Sequence, residues 1–290
     1  MKSKKLKLSF VCALVLLVGS ALVTMADWNY DDPHKMHYPQ LPDLQGWDVD
    51  FTDLELADDW GCTETGWVSD IHFWFSARKD AEFKVDAIYA RIYLDDRKTN
   101  PDYSQPGKLL WERVFQAGDF TVRLWPEEGP QGWYDPGQVP PVIIYQDHYR
   151  IWQANITKIP DPFLQEAGKI YWLDLQVRAT NQQGEVVELG WKTSRSKHFE
   201  DDAVFHLPDS TDYYELRDPE TGDSIDLAFV ITGEPVDLDF GDAPDRPYPT
   251  LLANDGARHI VVPGFCLGAP VRVSQESAPG AGDFDNNILG

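Results

Sequence analysis

The residues able to do chemistry in this 290-residue chain are mostly acids, with 48 Asp and Glu against 25 Lys and Arg. Two acidic clusters stand out, Asp58-Asp59 and Glu200-Asp201-Asp202. A glycoside hydrolase needs two carboxyls flanking the scissile bond. Adjacent strand residues face opposite sides, so neither cluster alone supplies a same-face pair. Solvated turn acids, or acids that pin a loop, are the expected role. His34 and His37 would share one face of a helix and could hold a metal, but their Asp- and Pro-rich surroundings argue against helix. Calcium fits this composition better than zinc, because it takes roughly six to eight oxygen ligands in flexible geometry. Asp283, Asp285 and Asn287 match the first three ligand positions of an EF-hand-like loop, although Ile288 stands where Gly is required. Asp237, Asp239, Asp242 and Asp245 form a second oxygen-rich stretch.

Aromatic residues are the other candidate chemistry. Sugar rings have apolar faces that stack on open Trp or Tyr planes. Trp125, and Trp133-Tyr134 between Gly132 and Asp135, stand in turn-like contexts and are the expected glycan-binding residues. Trp74, Trp172 and Trp191 lie in strand patterns and are expected in the core. No nucleophile-elbow serine and no Gly-rich phosphate loop is visible, so no catalytic residue is assigned and the chain is expected not to be an enzyme. Cys62 and Cys266 have no CxxC or Cys/His spacing and are expected to be unpaired thiols.

The elements that must position these residues read as strands. From Ile170 to Ala179 the apolar Tyr171, Leu173, Leu175, Val177 and Ala179 alternate with Asp174, Gln176 and Arg178, a half-buried strand. Ile71–Phe75, Val85–Leu94, Leu109–Phe115, Phe120–Trp125, Val142–Tyr145, Tyr149–Ile156, Val186–Lys192, Ala203–His206 and Ile225–Thr232 are further candidates. Turn compositions separate them, including Asn100-Pro101-Asp102, Gln105-Pro106-Gly107, Asp135-Pro136-Gly137, Asn181 to Gly184 and Asp218 to Gly222. With no amphipathic helix in sight, the expected fold is all-β, an antiparallel β-sandwich of jelly-roll type.

Flanking segments complete the plan. Residues 1–26 read as a cleaved secretory signal, with Lys2, Lys4, Lys5 and Lys7 ahead of the apolar run Leu8 to Val23 and small residues before Ala26. Residues 27–50 read as an extended lead-in, 51–233 as the sandwich, and 234–290 as an acidic linker with the start of a second, incomplete module. The expected location is secreted or cell-surface, with no membrane insertion after signal cleavage. The net charge is -23, and without the four signal lysines 21 bases face 48 acids, a net charge of -27. Such a polyanion is repelled by nucleic acid and by anionic membrane surfaces.

Three blocks occur in order: Leu56 to Thr63 with Gly66 to Trp74; Gly190 to Ser194 with Asp201 to Phe205; and Asp226 to Gly233. Together they resemble an uncharacterised family of secreted β-sandwich domains in large exported bacterial proteins, notably of planctomycete type. The string Asp239-Phe240-Gly241-Asp242-Ala243-Pro244-Asp245, followed by Tyr248 to His259, resembles a segment found between modules of bacterial surface and adhesin-like proteins. These resemblances imply location and modular context and bring no catalytic residue. The expected role is therefore a non-catalytic extracellular module for adhesion or glycan binding, with polysaccharide or other surface proteins as partners. A polysaccharide hydrolase with carboxylates from separate strands, and a cell-envelope spacer, are the alternatives.

Overall fold

The computed structural model describes residues 27–97, 103–157, 159–208, 210, 212–236, 238–240, 256 and 258–261. Two large sheets carry the fold. The first has eight strands: β7 (Phe120–Leu124), β10 (Trp152–Ile156), β4 (Asp70–Ala77), β13 (Leu189–Lys192), β1 (Trp47–Asp50), β8 (Gln131–Asp135) and β9 (Val142–His148) in spatial order, with β16 (Phe229–Thr232) also paired to β4. The second runs β15 (Tyr213–Glu215), β14 (Val204–His206), β2 (Glu55–Gly61), β12 (Ile170–Thr180), β5 (Lys84–Arg97) and β6 (Ser104–Gln116). Two small ribbons join β3 (Gly66–Val68) to β11 (Phe163–Gln165) and β17 (Leu238–Phe240) to β18 (Arg258–Ile260). Among the described residues the only helical element is a three-residue 3-10 turn, Arg78–Asp80. The molecule is a β-sandwich, antiparallel except where β1 runs parallel to β8. No helix among the described residues is long and apolar enough to cross a membrane.

The period-two pattern explains the core. On β12, Leu173, Leu175, Val177 and Ala179 turn inward and are at most 1% exposed, opposite Ile92, Ala90 and Ile88 of β5. From the other sheet come Ile71, Phe73, Phe75, Leu189, Trp191 and Phe229, all fully buried. The sheets meet ring to ring: Trp60 of β2 lies edge-on to Phe229 at 6.4 Å, and Phe51 contacts both Phe73 and Trp191. Each buried aromatic removes about 150–250 Å² from water, about 4–6 kcal/mol gross before chain entropy is charged. The expected turn after β12 forms at Asn181–Gly184, where the Gly184 amide donates to the Asn181 carbonyl at 3.0 Å and Gly184 takes φ +81°, and the chain then crosses to β13 in the other sheet.

The lead-in belongs to this structure. Its last residues form β1, an interior strand of the eight-stranded sheet. Farther back, Lys35 and Gln40 donate their amides to Ile231 and Phe229, extending the sheet beyond β16. Trp28, Met36 and Gln40 are buried. Gln105-Pro106-Gly107, expected as a turn, lies within β6 and faces a register irregularity of β5. The bulge absorbs the Pro and Gly that would otherwise end the strand.

The outer face of the eight-stranded sheet is polar yet buried. It carries His72, Trp74, Gln153, Asn155, Asp48 and Lys192, each at most 4% exposed. The lead-in lies across it. The carbonyl of Trp28 accepts bonds from Arg123 (2.7 Å) and Gln153 (2.9 Å), its amide donates to Asn155, and its ring lies edge-on to Trp74 at 5.9 Å.

Candidate functional site

The three rings expected at the surface are all buried. Trp125 is 3% exposed, Trp133 1% and Tyr134 8%. Trp133 and Tyr134 are not in a turn; they are the third and fourth residues of β8, flanked by β1 and β9, so each ring is driven into a layer. Trp133 lies edge-on to His148 at 6.4 Å with the Arg78 guanidinium 5.7 Å from its ring. Tyr134 packs near Trp47 at 6.4 Å. Trp125 is enclosed by Tyr30, Trp74 and the Arg123 guanidinium. No face of these three is free for a sugar. Trp74, Trp172 and Trp191 are buried as expected. Asp283, Asp285 and Asn287 lie outside the described residues, as do Asp237, Asp242, Asp245 and Cys266. Cys62 is a buried free thiol donating to the Glu64 carbonyl, and burial pushes its pKa up to about 12.

An aromatic surface that sequence reasoning missed lies at the open side of the sandwich. Phe83, Val85, Phe120, Val122 and Trp152 line a half-open groove of about 320 Å³, together with Glu82, Lys84, Ala117 and Gly118. Phe83 and Trp152 meet edge-on at 5.1 Å, and the Arg150 guanidinium stands 6.0 Å from the Trp152 ring. Three elements place these residues: β7, an edge strand, β10 beside it, and the start of β5 in the other sheet. Trp152 was legible only as a strand residue. That its strand neighbours a bare edge, leaving the ring partly open, is a property of sheet order.

The predicted acids separate as adjacent strand residues must. Asp58 faces the core, where its carboxylate accepts from Gln40 Nε2 (2.7 Å), the Leu227 amide (2.6 Å) and the Asp59 amide (2.8 Å). Burial and then Asp226 hold its pKa well above the ordinary range. Asp59 faces the outside of the six-stranded sheet, 1% exposed, and both of its carboxyl oxygens are buried without a hydrogen-bond partner. Asp202 pairs with Arg217 at 2.7 Å. His34 and His37 do not converge: His34 Nδ1 bonds the Met36 carbonyl, while His37 accepts the Gly61 amide and stacks on Phe199 at 3.5 Å. Burial lowers the His37 pKa to about 3. Among the described residues no three His, Cys, Asp or Glu side chains are arranged to hold a metal ion.

Sequence reasoning also missed a buried ionic trio. Lys192 Nζ and His148 Nε2 each lie 2.8 Å from Asp48 Oδ2, and all three side chains are fully buried. Register explains the meeting: Asp48 stands directly opposite Lys192 across β1 and β13. Burial alone would raise the Asp48 pKa, but Lys192 and His148 outweigh it and hold the carboxylate below its usual range. Asp48 in turn raises the His148 pKa against the effect of burial. Enclosed on every side, the trio ties β1, β13 and β9 together.

A family model described as a domain of unknown function, DUF7901, matches residues 36–232. The chain belongs to the DUF7901 family. The match begins inside the lead-in, at Met36, whose side chain is fully buried, and ends with β16. No curated protein and no solved structure matches the chain.

Proposed function

We propose that this DUF7901 domain is a non-catalytic binding module of an exported or cell-surface protein, and that it holds a polysaccharide at the groove of Phe83, Phe120 and Trp152. The observation that carries this reading is the contrast in access. The groove leaves aromatic rings partly open beside charged side chains, whereas Asp58, Asp59 and Asp202 are at most 4% exposed. A partly open Trp can stack on a sugar face while Arg150, Glu82 and Lys84 bond its hydroxyls. The net charge of -23 favours a neutral glycan over a uronic or sulfated one.

Affinity electrophoresis on a panel of neutral polysaccharides tests the proposal. The wild type is expected to be retarded by at least one, and Trp152→Ala to lose that retardation while keeping its melting profile. Phe83→Ala serves as a second variant if Trp152→Ala does not fold. Retardation by none of the panel, or retardation unchanged in both variants, would sink the groove. Release of reducing ends by the wild type would support the hydrolase instead.

A further inference from the structure

Asp59 is the least satisfied charged group among the described residues. It sits on β2 directly opposite Trp172 of β12, which places it on the outer face of the six-stranded sheet. The Trp172 indole donates to Asp95 Oδ1 at 2.9 Å, so Asp95 stands on the same face. The segment 198–202 passes over this face and is fixed at several points. Phe199 lies so close above Gly61 that a Cβ there would meet its ring at 2.7 Å. The Phe199 amide donates to Asp226, and Arg97 bonds Glu200 at 2.8 Å. Asp59 thus lies covered in an acidic basin, with Asp201 and Asp95 close enough for their charges to act on it.

An acidic cluster alone signifies little, since 48 acids must gather somewhere. The independent observation is that Asp59, 1% exposed, has two buried oxygens with no donor at either. A buried carboxylate without hydrogen bonds is strongly disfavoured, and the protein supplies donors to its neighbour Asp58 from three directions while supplying none here. We propose that Asp59 is the anchoring ligand of a calcium-class divalent cation that pins the 199–201 segment to the six-stranded sheet. No three acidic side chains already surround one point. The ion therefore draws on Asp59, on Asp201 or Asp95, and on backbone and water oxygens, a set that a hard, high-coordination cation accepts.

Calcium titration of the full chain by calorimetry, with melting curves in calcium, magnesium and EDTA, provides the test. Wild type is expected to bind calcium saturably and melt higher in calcium than in EDTA. Asp59→Asn is expected to weaken binding at least tenfold and erase the difference in melting. Asp201→Asn should weaken binding too, and serves if the first variant does not fold. A variant carrying Asp283→Asn and Asp285→Asn separates this site from the C-terminal stretch and should keep both effects. Absence of calcium binding, binding unchanged by Asp59→Asn, or binding lost only in the C-terminal variant would overturn the proposal.

Discussion

Asp48 and Asp59 are two carboxyls with the same burial and opposite surroundings. Asp48 lies on the outer face of one sheet, with Lys192 and His148 each at 2.8 Å. Asp59 lies on the outer face of the other sheet, with no donor at either oxygen. The difference follows from what covers each face. Over the eight-stranded sheet, chain segments far apart in sequence are brought together so that buried polar groups pair across long distances: Trp28 with Asn155, Arg123 with Gln153, Lys192 with Asp48, although Asp48 Oδ1 and Trp74 Nε1 stay without a partner. Over Asp59 the covering segment is itself acidic. One face is closed by the chain alone, and the other is completed by something the chain does not supply.

The strongest way to break this contrast is to remove one charge from each face. Asp48→Asn leaves Lys192 buried beside a neutral amide, and is expected to destabilise by about 3–5 kcal/mol in urea unfolding. A loss below about 1 kcal/mol would mean that the trio contributes little and that the sheet face is held by packing. Replacing both partners, as Asp48→Asn with Lys192→Met, should recover part of the loss, because no buried charge then remains unpaired.

Asp50, on the same strand as Asp48, sharpens the comparison through pH. Burial, aided by Asp135 and opposed by the Thr52 amide, raises its pKa from 3.8 to about 7. The folded state then binds this proton more tightly than the unfolded one. Its contribution is fully present below about pH 4 and is lost as pH rises through about 7, at up to about 1.4 kcal/mol per unit. Stability measured from pH 4 to 8 in wild type and Asp50→Asn should show that slope flattened in the variant. Parallel curves would place the proton elsewhere. Next in size, Asp59→Asn in EDTA is expected to stabilise in urea unfolding, since it removes a buried carboxyl that the fold leaves without a donor and breaks no hydrogen bond. The opposite signs at Asp48 and Asp59 are the central expectation.

Much of the inner architecture was legible because one chemical pattern determines it. The alternation on β12, the Asn181–Gly184 turn and the buried Trp191 follow from local periodicity and turn chemistry, while Trp74 and Trp172 are buried as expected but on the outer faces. The lead-in was not legible in the same way. Trp47-Asp48-Val49-Asp50 places acids on the outward positions of a strand, which ordinarily signals solvent; here both are buried, and Asp48 meets Lys192 from 144 positions away in sequence. Trp133-Tyr134 misled for a related reason. Gly132 before them and Asp135-Pro136-Gly137 after them read as a turn, but parallel pairing with β1 holds them extended. The open groove was hidden for the converse reason, since exposure at Trp152 depends on β7 being an edge. Sequence periodicity reports which face a residue takes, and long-range sheet order decides whether that face is wet.

The smallest expected effect addresses the acidic basin directly. Arg97 bonds Glu200 at 2.8 Å and lies 3.7 Å from Asp95, with its side chain 61% exposed. As a surface pair it should contribute under about 1 kcal/mol to stability, and less in high salt. If the basin holds a divalent cation, however, the guanidinium is a competing positive charge at its rim. Arg97→Ala should then leave the melting temperature in EDTA within about 2 °C of wild type while tightening calcium binding several-fold at low ionic strength. Equal calcium affinity in wild type and Arg97→Ala at low salt would separate Arg97 from the basin, and weaker affinity would mean that Arg97 positions the 199–201 segment rather than competing with the ion.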